Sequence, residues 1–144
     1  MKHLLIFLTC SLLLVGISFG QAETTDWDQF SVNLVNAFKI PNEGLHTSAM
    51  CMIIRYADKL DVDDAVFDIV RIFRSNKDTR VRQLALVTLY KMQNAWAMDF
   101  LKRHYKFEDN ETIRKMNCCI VNSYYASKKT TQPSDTLKIY SLQE

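Results

Sequence analysis

The chain has 144 residues, 48% of them hydrophobic and 24% charged, with a formal net charge of +2. That describes one ordinary globular domain, neither disordered nor a polytopic membrane protein. The near-neutral balance leaves no electrostatic footprint for nucleic acid. Three glycines and two prolines cannot build a Gly-rich phosphate loop, a dinucleotide fingerprint or a nucleophile elbow, and a many-turned β-sandwich or barrel needs more residues that tolerate positive φ.

The chain opens on a short positive segment, Met1-Lys2-His3, and continues into an uncharged apolar run from Leu4 to Ile17. Small residues Gly20 and Ala22 then stand two apart before Glu23. This three-part pattern predicts a secretory signal peptide over residues 1–22, cleaved after Ala22. The run is shorter than the roughly 20 residues that span a bilayer, so no stable membrane insertion is expected after cleavage. The expected location is extracytoplasmic, either periplasmic or secreted.

From Glu23 onward the apolar spacing is helical nearly throughout. Trp27, Phe30, Leu34, Val35 and Phe38 form one stripe, with Thr25 and Asp28 read as a capping box. Pro41-Asn42 ends that helix, and Asn42 caps a second over about 43–57. Asp61 is expected to cap a third over 62–74, with Val66, Ile69, Val70 and Phe73 on one face. A fourth runs over 79–92 after Asp78, and a fifth over 95–106 carrying Trp96, Phe100, Leu101 and Tyr105. The sixth runs over 111–126 after Asn110. Short linkers favour antiparallel neighbours.

The second, fourth and sixth helices resemble one another at spacings of 36 and 32 residues. Asn42-Glu-Gly-Leu-His-Thr-Ser-Ala49 aligns with Asp78-Thr-Arg-Val-Arg-Gln-Leu-Ala85 and with Asn110-Glu-Thr-Ile-Arg-Lys-Met-Asn117. A capping side chain is followed three residues later by Leu45, Val81 or Ile113, and then by a basic-type residue, His46, Arg82 or Arg114. Self-similarity at such a period marks stacked helix pairs, each unable to bury its face alone. The middle copy resembles the start of the second helix of a HEAT repeat, with its Asp in the turn and its Val-Arg pair. The first copy departs from that pattern at Leu45-His46 and the last at Asn117. The resemblance covers about residues 26–126. It implies an all-α fold, a short right-handed α-solenoid of about three antiparallel helix pairs used for protein–protein contact, and carries over no catalytic residues. The expected organisation is a signal peptide at 1–22, a helical repeat domain at 23–127 and a flexible tail at 128–144.

On a helical wheel, Leu45, Ser48, Ala49, Met52, Ile53 and Tyr56 form the expected core stripe of the second helix. The opposite side is apolar too. Its positions are Met50, Cys51 and Ile54, then Leu86, Val87 and Tyr90, then Cys118, Cys119 and Asn122. Two accounts fit. Either each second helix is wedged between neighbours and its apolar arc is wide, or Met50, Ile54, Leu86, Val87 and Tyr90 form an apolar patch that a partner covers.

Cys51, Cys118 and Cys119 remain after processing, an odd number that cannot complete a disulfide framework. Cys51 and Cys119 sit two repeats apart, on the order of 20 Å, beyond disulfide reach. They read as small buried hydrophobes, with an intermolecular disulfide or a soft-metal site at Cys118-Cys119 as alternatives. His46 and His104 lack the partners of a triad, and His46 reads as a turn or cap residue. Asp58, Asp61, Asp63 and Asp64 lack the glycine and spacing of a calcium loop and read as helix capping. Asn110-Glu-Thr112 fits a glycosylation sequon. In the tail, Leu137, Ile139 and Tyr140 are able to dock on a neighbour or on the domain itself.

The leading functional expectation is a non-catalytic protein–protein interaction module whose partner is another protein or a second copy. No cofactor and no metal are expected, and no enzyme activity. The alternatives are a carrier holding a small apolar molecule between helices, and a thiol- or metal-dependent enzyme resting on Cys118-Cys119.

Overall fold

A computed structural model of the protein describes residues 25–131. The expected signal segment 1–22 and residues 132–144 of the expected tail lie outside the described residues. Among the described residues the fold is all-α. Six α-helices follow in order: α1 (Trp27–Ala37), α2 (Glu43–Tyr56), α3 (Val66–Ser75), α4 (Thr79–Met92), α5 (Ala95–His104) and α6 (Glu111–Thr131).

Side-chain caps set most of the helix starts, by satisfying backbone N–H groups that no earlier turn can serve. Asn42 accepts from the Leu45 amide at 3.0 Å, Asp78 from Arg80 at 2.8 Å, Asn94 from Ala97 at 3.0 Å and Asn110 from Ile113 at 3.1 Å. For α1 the cap is Asp26, accepting from Gln29 at 3.0 Å, one residue beyond the expected Thr25. Asp61 does not cap α3. Its backbone N–H is drawn instead to Ser31 Oγ at 3.1 Å, and the chain winds a 3₁₀ turn over Asp63–Ala65 before α3 begins. At the other end, α4 stops at Gln93, the one non-glycine with positive φ (54°) among the described residues. α5 tightens into a 3₁₀ turn over Tyr105–Phe107. α6 continues to Thr131, so residues 128–131 of the expected tail are helical.

Helices pair in succession: α1 packs on α2, α3 on α4 and α5 on α6, while the second members touch one another, α2 against α4 and α4 against α6. The core between them is filled by Phe38, Met50, Ile53, Ile69, Phe73, Leu86, Leu89, Met98, Leu101, Ile113 and Tyr124, large side chains each worth about 1.5–3 kcal/mol on burial. The buried residues of α2 are Ala49, Met50 and Ile53, while Ser48 is exposed and Met52 is 37% exposed. The inward face is therefore rotated by about 75° from the expected stripe. The reason is placement: α2 meets both α1 and α4, and the second contact pulls Met50 inward.

The sequence repeat has a structural meaning. In each copy the basic residue reaches back to a carbonyl in the segment that precedes its helix. His46 Nε2 donates to Ile40 O at 2.7 Å, Arg82 Nε to Phe73 O at 2.7 Å and Arg114 Nη1 to Glu108 O at 3.5 Å. His46 also stacks on Phe38, and Arg82 lies over the Phe73 ring. Polar side chains then tie one copy to the next: Asn76 Nδ2 donates to Glu43 Oε1 at 2.9 Å, and Asn110 Nδ2 to Thr79 Oγ1 at 3.5 Å. The most buried tie is an ion pair between Arg82 and Glu108 at 2.5 Å, with side chains only 15% and 4% exposed.

Candidate interaction surface

Val66, Ile69, Val70 and Phe73 turn one side of α3 into the core. That leaves Phe67, Arg71 and Arg74, spaced i, i+4 and i+7, as a second stripe on the solvent side. In α5, Ala97, Met98 and Leu101 face inward, and Trp96, Phe100 and His104 run along the flank at i, i+4 and i+8. The two stripes face each other. Ring centroids of Phe67 and Trp96 lie 4.6 Å apart, Trp96 and Phe100 are stacked at 5.8 Å, and Phe100 and His104 lie at 5.3 Å. His104 in turn meets the buried Phe73 edge-on at 5.5 Å. A continuous run of rings thus leads from the surface to the core.

The groove between the stripes has a volume of about 480 Å³ and is lined by Phe67, Val70, Arg71, Arg74, Ser75, Trp96 and Phe100. Phe67 is 67% exposed and Trp96 43%. Beside it, the buried Asp68 carboxylate holds Lys39 at 2.5 Å and Arg71 at 2.7 Å. Arg74 forms no ion pair with another described residue. One end of the groove is consequently aromatic and the other cationic. At the inner end, burial pushes the His104 imidazole below its ordinary pKa of 6.5, against the pull of Glu108 and with the help of Arg74 and Arg82. Its Nδ1 is buried without a hydrogen-bond partner.

Of the two accounts of the second helices' apolar backs, burial favours the wedged one. Met50 and Leu86 are 0% exposed, and Ile54, Val87 and Tyr90 are half-buried. The cause is the packing around α4, which touches α2, α3, α5 and α6; its apolar arc is wide because neighbours surround it. The expectation for the thiols is also corrected. Cys51 and Cys119 are exposed and Cys118 is half-buried, and all three are free. Cys118 borders a separate groove with Lys102, Tyr105, Val121 and Tyr125.

The acidic run behaves differently from a set of caps. Asp61, Asp63 and Asp64 join Asp28 around a recess of about 680 Å³ whose apolar wall is Val32 and Val35. Asp63 also accepts from Asn94 Nδ2 at 3.1 Å. Among the described residues, no group of three or more His, Cys, Asp or Glu side chains is placed to hold a metal ion, and no helix is long and apolar enough to cross a membrane. The sequon residue Asn110 spends its side chain on the α6 cap and on Thr79.

Phe67 is the residue the hydrophobic pattern passes over, because it lies off the Val66–Ile69–Val70–Phe73 face. Its spacing to Arg71 and Arg74 is the one signal in the sequence that marks a second stripe. Comparison of the chain with family models, with curated proteins and with solved structures finds no match.

Proposed function

We propose that the protein is a non-catalytic, extracytoplasmic protein–protein interaction module. In this reading the six helices form a short right-handed α-solenoid of three pairs, and a protein partner binds along the α3/α5 groove. The observation that carries it is the pair Phe67 and Trp96. Two large aromatic rings in mutual contact stand exposed at the mouth of a groove rimmed by arginines. Aromatic and arginine side chains dominate the energetics of protein interfaces, because they bury large areas at low entropy cost and bond directionally. The stacking of successive second helices supports the solenoid arrangement, and the pattern of residues 1–22 supports export.

The test is capture from the extracytoplasmic fraction of the source organism, with wild-type protein and the Phe67→Ser/Trp96→Ala variant compared as baits of equal helicity. Retention of a discrete protein by the wild type, with loss by the variant, is the expected result. Identical sets of retained proteins contradict the assignment of this groove.

A further inference from the structure

We propose that the α3/α5 groove is a docking site for an extended segment bearing alternate apolar side chains followed by a carboxylate, and that its resident occupant is residues 138–144 of this same chain. The proposal rests on the reading of the groove as an interaction surface and goes further by naming what fills it.

The argument is one of register. Along α3 the rise is about 1.5 Å per residue, which puts Val70 about 4.5 Å and Arg74 about 10.5 Å beyond Phe67. An extended strand advances about 6.6 Å per two residues and keeps residues i, i+2 and i+4 on one face. The sequence Lys138-Ile-Tyr140-Ser-Leu142-Gln-Glu144 places Lys138, Tyr140, Leu142 and Glu144 on such a face. With Tyr140 set on Phe67 and Trp96, Leu142 falls over Val70 and Phe100. Glu144 then comes within reach of the Arg74 guanidinium, which forms no ion pair with a described residue. Charge and apolarity match at Tyr140, Leu142 and Glu144, and the opposite direction along the groove would set Lys138 against Arg74.

The chain is long enough and starts at the correct end. α6 runs antiparallel to α5: Asn117 donates to Leu101 O near the end of α5, and Tyr125 Oη donates to Asp99 nearer its start. α6 therefore finishes at the end of α5 that carries Trp96. From Thr131 to Tyr140, nine residues extend to about 30 Å, more than the two helix spacings of about 8–10 Å each that separate α6 from the groove. A segment tethered this closely has an effective concentration of about 1 mM, so an intrinsic Kd of about 0.1 mM leaves about 90% of the grooves filled. The tail thereby acts as a built-in competitor that an external partner must displace.

The test reads Trp96 as the sole tryptophan, in a Trp27→Phe background that retains helicity. Full chain is compared with chain ending at Thr131, which keeps every core residue. The proposal expects Trp96 emission in the full chain to be blue-shifted and shielded from acrylamide relative to the shortened chain. A synthetic peptide of residues 136–144 should restore the shielding saturably, with an apparent Kd about tenfold weaker on the full chain than on the shortened one. Arg74→Glu should release the tail in the full chain, and adding Glu144→Arg should return it. Equal quenching of full and shortened chains, or no peptide binding, overturns the proposal. Shielding that grows with protein concentration overturns it in favour of a second copy as occupant. Capture experiments on the Phe67→Ser/Trp96→Ala variant decide the groove's role in partner binding separately, so the failure of one reading is distinguishable from that of the other.

Discussion

Replacing Arg82 by Met removes one half of the most buried ion pair among the described residues, and the consequence is worked out from its surroundings. The guanidinium donates to Glu108 at 2.5 Å and to the Phe73 carbonyl at 2.7 Å, and it covers the Phe73 ring. Glu108, 4% exposed in its side chain, also accepts from the Asn110 amide at 3.1 Å through its other oxygen. One pair of side chains thus fastens the end of α3, the start of α4 and the start of α6. Arg82→Met leaves a carboxylate without its counter-charge in a site with almost no access to water, a loss of about 3–5 kcal/mol. For a domain of roughly 100 residues that corresponds to a fall in Tm of at least about 12 °C, taking about 4 °C per kcal/mol. Arg82→Met/Glu108→Leu replaces both charges by apolar groups, which is commonly close to neutral. Here it still forfeits the bonds to Phe73 and Asn110, so the double variant should lose only about 1–2 kcal/mol. Urea unfolding followed by circular dichroism measures all three proteins. A single variant within about 1 kcal/mol of wild type, or a double variant that costs more than the single, would refute the view that these copies are held together by a buried, mutually dependent pair.

Other perturbations separate core from surface. Leu86→Asp puts a charge at a fully buried position and should cost about 4 kcal/mol or more, enough to unfold much of the protein at room temperature; a fully folded variant by circular dichroism would contradict the burial. His104 gives a pH dependence whose sign is fixed by burial. Its folded pKa is depressed below 6.5, so its neutral form stabilises the fold fully above that pH, and this contribution is lost as pH falls from 6.5 toward the folded value. His104→Phe should flatten the stability profile in that window, and an unchanged slope in urea titrations between pH 7 and pH 5 would contradict it. Cys51 and Cys119, exposed, should react with an aromatic disulfide reagent in the native protein, with Cys118 lagging; equal rates for all three until denaturant is added would contradict the placement.

The helices were legible in the sequence because their signals are local. A capping Asn or Asp, an apolar residue three positions on and a 3.6-residue period each act within one turn, and Asn42, Asp78 and Asn110 cap the helices they were expected to cap. The inward face of α2 was not, because Met50 is buried by α4, a helix that begins 29 residues later. The start of α3 was misplaced for a similar reason: the partner of the Asp61 amide is Ser31, thirty residues away. The groove depends on a contact of the same kind. Phe67 and Trp96 are 29 positions apart, and only the parallel placement of α3 and α5 brings their rings to 4.6 Å. A helical wheel treats each helix as if it had one neighbour, whereas α4 has four, and that difference puts Met50 and Leu86 in the core.

The most direct measurement of the central claim is site-specific photocrosslinking in the native compartment. A benzoylphenylalanine in place of Phe67 samples the mouth of the groove, and the same group in place of Met52, exposed on α2, serves as control. The account predicts a discrete crosslinked species from position 67, strengthened when residues 132–144 are removed, and none from position 52. The same products from both positions, or products from position 52 alone, would contradict the α3/α5 groove as the proposed partner-binding surface.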